Sequence, residues 1–97
     1  MLFEEFEWDE HKNQINIKKH KVSFHEAETV FDDKEAIFIS DPDYTESDDD
    51  RFLILGLSKY ENLLVVCHCY RISDTIVRII SARKATKNET KLYNDRR

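Results

Sequence analysis

The chain has a single glycine and a single proline among its 97 residues, which excludes a collagenous, linker-like or low-complexity protein. It has no apolar run near the ~18 residues of a membrane-spanning helix. It has no glycine-rich phosphate loop, no nucleophile elbow and no HExxH. Its only cysteines, Cys67 and Cys69, lack the CxxC spacing of a zinc site and stand poorly for bridging to each other. Basic residues are in deficit, 15 against 20 acidic, for a net charge of −5. That balance argues against a polybasic nucleic-acid coat protein or a membrane-surface peptide. The opening MLFEEFEWDE lacks the cationic, apolar and small-residue zones of a secretion signal. The expectation is a cytoplasmic protein whose cysteines are thiols.

What is present is enough apolar material, 40% with 11% aromatic, for one hydrophobic core, and the expectation is one domain over residues 1–97. So small a domain buries only ~60–65% of its unfolded surface and gains from a binding partner. The charge is unevenly spread. Residues 32–50 carry nine acidic side chains and one lysine, whereas residues 71–97 carry eight basic and three acidic. A local cationic site is therefore compatible with a globally acidic chain.

Loose alternation over Leu2–Trp8 predicts a short strand. Asp9 is a helix cap, and Glu10 to about His20 has no Pro or Gly inside it. On that helix Lys12, Asn16, Lys19 and His20 share a polar face. Ser23 and Glu26 form a capping box for a second helix with Phe24, Ala27, Val30 and Phe31 as its apolar stripe. Glu35–Ser40 reads as a strand and Asp41–Asp50 as an acidic loop. Three strands follow, Arg51–Leu57, Leu63–Arg71 and Thr75–Ser81, joined by segments short enough for antiparallel hairpins. The first of these is apolar on both faces, which suits a central, covered strand. Thr86 and Glu89 form another capping box for a last helix through Leu92 and Tyr93. The predicted class is α+β, in the order β-α-α-β-β-β-β-α, with helices packed on a mostly antiparallel sheet.

Arg71 and Arg78 stand out because a cation within an apolar strand must be paired or must face a functional surface. A two-residue turn at Ser73–Asp74 pairs Cys69 with Arg78 and puts Arg71 and Arg78 on one face; a one-residue slip separates them. Arg51 and Arg83 can extend the same positive zone. Guanidinium groups suit a phosphate, since they donate in pairs and keep their charge through proton transfer. The competing reading pairs each arginine with an acidic residue of the long loop. Among the histidines, His68 alternates away from Cys67 and Cys69, which leaves no metal site there. His20 ends the polar helix face and can serve in proton transfer or simply face solvent. Phe6 and Trp8 can stack on a base or pack in the core.

Three blocks, FEWDEHKNQINIKKHKVSFHEAETVFDD, DRFLILGLS and VRIISARKATKNE, resemble in content and order the BrnT family of bacterial type II toxins, across nearly the whole chain. The resemblance implies a RelE-like fold and a ribonuclease that halts translation. It also implies neutralisation by a BrnA-type ribbon-helix-helix antitoxin, through which alone operator DNA is bound. The family pattern falls on Lys12, Asn16, Lys19, His20, Arg51, Arg71, Arg78, Ser81, Arg83 and Glu89. The expected chemistry is attack of the RNA 2′-hydroxyl on its own phosphate, with no metal or other cofactor. Arg71, Arg78, Arg83 and His20 are the candidate catalytic residues, and Lys12, Lys19, Arg51 and Lys84 the candidate RNA-binding cations. Two positions depart from many relatives: Lys21 replaces a glycine after the Lys-His pair, and Tyr70 replaces an acidic residue before the strand-end arginine. The alternative is a weakly active or inactive subunit that acts in an antitoxin complex as a transcriptional co-repressor.

Overall fold

The computed structural model describes residues 5–39, 51–73 and 75–95. The expected acidic loop at 41–50 lies outside them, as do the start of the first predicted strand and Ser40. Strand β1 (Glu5–Glu7) leads into helix α1 (Glu10–His20), α2 (Phe24–Glu28) and a 3-10 turn at Thr29–Asp32. Strands β2 (Ile37–Ile39), β3 (Phe52–Leu57), β4 (Leu63–Arg71) and β5 (Ile76–Lys84) follow, and α3 (Lys87–Asp95) closes the described chain. The α+β class and the element order are those predicted.

The five strands form one sheet in the order β1-β5-β4-β3-β2, with β1 parallel to β5 and every other pairing antiparallel. The central position belongs to β4. The expectation that Phe52–Leu57 is central is corrected by one place, although β3 is interior and covered on both faces: Ile54 joins one apolar cluster, and Leu53 and Leu55 the other. The first cluster packs the stripe of Phe24, Ala27, Val30 and Phe31 against Leu64, Val66, Val77, Ile79 and Ala82. The second holds Tyr93 of α3 against Leu53, Leu55, Val65 and Cys67. Phe6 and Trp8 pack against the first cluster, Phe6 on Phe31 and Trp8 on Phe24 and His25, so the core reading holds for both.

Local signals act largely as the sequence indicates. The Asp9 carboxylate accepts from the backbone N–H of His11 and Lys12, and Thr86 and Glu89 cap α3 reciprocally. The capping box at Ser23 is only half formed. The Ser23 hydroxyl accepts from the Glu26 N–H, but the Glu26 carboxylate accepts instead from the Ser58 hydroxyl and the Asn62 amide in the β3–β4 turn. A long-range pair of donors outcompetes the local one. The only glycine, Gly56, sits where a Cβ would lie 2.7 Å from Val30 Cγ1 and 2.9 Å from the Ala36 Cβ. Lys21 takes the left-handed cap of α1, at φ 62° and ψ 28°, and its N–H donates to the Ile17 carbonyl. The cap therefore keeps the geometry that favours glycine despite the lysine.

His68 is fully buried. Its Nδ1 lies 3.1 Å from the Val66 carbonyl oxygen and so carries the proton, leaving Nε2 to accept from the Tyr70 hydroxyl at 3.1 Å. The Phe31 ring meets it edge-on at 4.8 Å. Burial pushes its pKa down to about 4 from 6.5, partly opposed by the Val66 carbonyl.

The unfolded chain protonates His68 near pH 6.5 and the folded chain only near 4, so stability should fall as the pH drops through that window, by up to about 3 kcal/mol. Urea unfolding of wild type and His68→Gln at successive pH values checks this, because the difference between them should shrink as the pH falls toward 4. Replacement of Lys21 by Gly relieves a left-handed side chain and should raise stability by about 0.5–1 kcal/mol, seen as a higher melting temperature.

Candidate active site

Strand alternation assigns β4 and β5 two faces. Leu64, Val66, His68 and Tyr70 face the helices α1 and α2, whereas Val65, Cys67, Cys69 and Arg71 face the other way. The ladder pairs Cys69 with Arg78 and Arg71 with Ile76, the register that the two-residue turn predicts. Arg71 and Arg78 thus share a face. Arg83 lies five residues beyond Arg78, and uninterrupted alternation would send it to the opposite side. The pairing jumps from His68↔Ile79 to Cys67↔Ser81, leaving Ile80 as an extra residue in β5. This bulge resets the alternation. Ile79 and Ala82, three apart, consequently enter the same core cluster, and Ser81 and Arg83 emerge on the face of Arg71 and Arg78. β5 also runs three residues past the predicted end at Ser81.

Among the described residues these arginines pair with Glu7 and Glu89; the long loop lies outside them. Arg78 Nη1 donates to Glu7 Oε2 at 2.8 Å, and Arg71 Nε lies 3.5 Å from the same oxygen. Glu7 reaches them because β1 pairs with β5 in parallel, with Glu7 opposite Arg78. Arg83 makes a two-pronged pair with Glu89 of α3, at 2.7 and 2.9 Å. Hydrogen bonds from that guanidinium hold the Glu89 carboxyl down at about 2, against the opposing effect of burial and with help from the Thr86 backbone N–H. Glu7 is a residue that sequence reasoning misses, although alternation with the inward-facing Phe6 puts it on the outer face of β1.

The polar face of α1 divides in two. Asn16 is buried: its amide nitrogen donates to the Val22 and Ala82 carbonyls, and its oxygen accepts from the Ala82 N–H. It thereby pairs like a strand with the β5 edge that β1, ending at Glu7, no longer covers. Lys12, Lys19 and His20 line a groove of about 190 Å³ with Ile15, Asn16, Ile80 and Ser81. Lys12 and Lys19 are exposed and His20 is half-buried. Ser81 belongs both to this groove and to the arginine face, so the two join at the bulge. The other predicted cations stand differently. Arg51 precedes β3 and is exposed. Lys84 pairs with Leu64, which puts it on the face opposite Arg83 and away from the cluster. Tyr70 also lies on that opposite face, against the core and His68, so its identity does not alter the arginine surface. Among the described residues no three His, Cys, Asp or Glu side chains are grouped as metal ligands.

Residues 8–89 match the model of the ribonuclease toxin BrnT of type II toxin-antitoxin systems, a span that includes most of this surface. The chain belongs to the BrnT family. It is similar to the crystal structure of the Brucella abortus ribonuclease toxin BrnT, with 25% identity and a TM-score of 0.63 over 86% of this chain and 97% of that one. No curated protein matches it. BrnT toxins are ribonucleases of type II toxin-antitoxin modules, a class that works with an antitoxin. No described helix is long and apolar enough to cross a membrane.

The pair between Arg83 and Glu89 also sets a pH dependence. Glu89 ionises near pH 2 in the fold and near 4.5 when unfolded, so its stabilisation is complete above pH 4.5 and is lost as the pH falls through 2. Glu89→Gln should cost roughly 1–2 kcal/mol at neutral pH, discounted because Arg83 is partly solvated. Denaturant titrations should show that difference narrowing as the pH falls below 4.5.

Proposed function

We propose that this BrnT-family protein cleaves RNA without a metal, by attack of the substrate's 2′-hydroxyl on the adjacent phosphorus. The observation that carries the reading is the placement of Arg71, Arg78 and Arg83 on one sheet face that continues, through Ser81, into the groove lined by Lys12, Lys19 and His20. The reaction builds negative charge on a phosphate, and fixed guanidinium donors stabilise that charge more in the transition state than in the ground state. Arg71, Arg78 and Arg83 take this role, while Arg51, Lys12 and Lys19 hold the flanking backbone of the RNA. Lys84, on the reverse face, has no part in the catalytic cluster and is left as a peripheral cation. His20 is the acid that protonates the departing 5′-oxygen.

The partners that fit this reading are RNA and a BrnA-type ribbon-helix-helix antitoxin, which supplies the only contact with operator DNA. An antitoxin that covers the arginine face does so with acidic or apolar surface. The cytoplasm, where RNA and antitoxin meet, is the matching compartment. The co-repressor reading without cleavage draws its support from Tyr70, and that side chain packs toward His68 and the helices.

Purified protein should convert single-stranded RNA to fragments ending in 2′,3′-cyclic phosphate, and should keep doing so in the presence of a chelator. Arg71→Ala and Arg83→Ala should each slow cleavage at least about tenfold, in line with the loss of a charge-stabilising donor. Wild-type rates in both variants would remove the arginine face as the site.

A further inference from the structure

We propose that Glu7 is the general base of this site, taking the proton from the 2′-hydroxyl as that oxygen attacks; the inference rests on the ribonuclease reading above. The reaction needs an acceptor for this proton close to the phosphate-binding donors. Two guanidinium groups converge on one carboxylate oxygen at Glu7: Arg78 Nη1 and Arg71 Nε both address Oε2. Its other oxygen, Oε1, has no hydrogen-bond partner among the described residues. The side chain is 35% exposed, open enough to meet a substrate while the backbone of β1 is held by pairing with β5.

The other carboxylates and bases near this face fit the role less well. Both Glu89 oxygens are engaged, one by Arg83 and the Thr86 N–H, the other by Arg83 alone, and its pKa of about 2 makes it a weak acceptor. Glu5, two residues back along β1, stands across from Ile76 rather than an arginine. Tyr70 and His68 lie on the opposite face of the sheet. His20 enters from the groove beside Ser81, three residues along β5 from Arg78, or about 10 Å at the rise of a strand. Glu7 thus lies beside Arg78 and His20 beside Ser81, at two separate parts of this surface, and a base and an acid of this reaction act on different oxygens.

The step balances. The 2′-oxygen forms its bond to phosphorus and yields its proton to Glu7 Oε1. The bond from phosphorus to the 5′-oxygen breaks, and that oxygen takes a proton from the His20 imidazolium. The products are a 2′,3′-cyclic phosphate and a free 5′-hydroxyl. Arg71 and Arg78, already aimed at the carboxylate, hold the phosphate beside it.

The test compares wild type, Glu7→Gln and Glu7→Asp on an end-labelled, mixed-sequence single-stranded RNA, with binding measured on the 2′-O-methyl form of the same strand. Gln keeps an oxygen for the Arg78 hydrogen bond but cannot take a proton at neutral pH. Glu7→Gln should lower kcat at least about 100-fold, leave KM and affinity for the 2′-O-methyl strand within about threefold, and keep the melting temperature. Glu7→Asp should recover part of the loss. If wild type cleaves and Glu7→Gln stays within threefold of it, Glu7 is not the base, and the ribonuclease reading stands. If Glu7→Gln loses melting temperature or strand affinity in parallel with activity, Glu7 only ties β1 to β5, and the inference is again overturned. If wild type itself does not cleave, the ribonuclease reading fails and takes this inference with it.

Discussion

Uninterrupted alternation would divide Arg78 from Arg83 across β5, and the extra residue at Ile80 is what returns them to one face. The same insertion keeps Ile79 and Ala82 together in the core, so the apolar packing and the cationic surface depend on one irregularity. A bulge leaves edge backbone groups without the regular ladder. Here Asn16 supplies both a donor and an acceptor to Ala82 and ties α1 to the edge beyond the reach of β1. The groove that holds Lys12, Lys19 and His20 exists because that helix is held there. Bulge, amide clamp and groove form a single construction, and replacing Asn16 would loosen the helix and the strand edge together.

Features governed by neighbours along the chain are legible in the sequence. The Asp9 cap sets the start of α1, and the short separation of β4 and β5 in the sequence predicts the observed Cys69–Arg78 register. Features governed by distant partners are not. Pairing of β1 with β5 brings Glu7 to Arg78 across most of the chain, and no spacing within MLFEEFEWDE announces that partner. Glu26 illustrates the competition directly, since a capping box is available three residues away and the Ser58 and Asn62 donors take the carboxylate instead. The bulge escapes notice because Thr75–Ser81 alternates well enough to pass as a regular strand, and its irregularity shows only against β4. Grouping Asn16 with Lys12, Lys19 and His20 places it on the correct helix face but misses its burial, because helical spacing does not say which strand edge lies beneath.

An excess of acidic residues is compatible with a cationic site when the carboxylates are fixed partners of the cations. Glu7 accepts from Arg78 with Arg71 beside it, and Glu89 holds Arg83 in a two-pronged pair. The orientation of the guanidinium plane is set before any ligand arrives, and preorganised donors lose less entropy on binding. Among the described residues the partners come from β1 and α3, elements whose backbones are themselves held in place.

Such pairing need not exclude a phosphate. A guanidinium has five N–H donors in a planar fork. Arg78 gives one nitrogen to Glu7, and the contact of Arg71 with the same oxygen is through its Nε. A phosphate can therefore enter beside the carboxylate with the ion pairs intact, exchanging water for charge-assisted hydrogen bonds. A lysine at either position would have one compact ammonium to divide between the two anions. On the proposed reading, arginine at 71 and 78 suits a side chain that holds a carboxylate and a phosphate at once, with the carboxylate brought to the arginine face by β1.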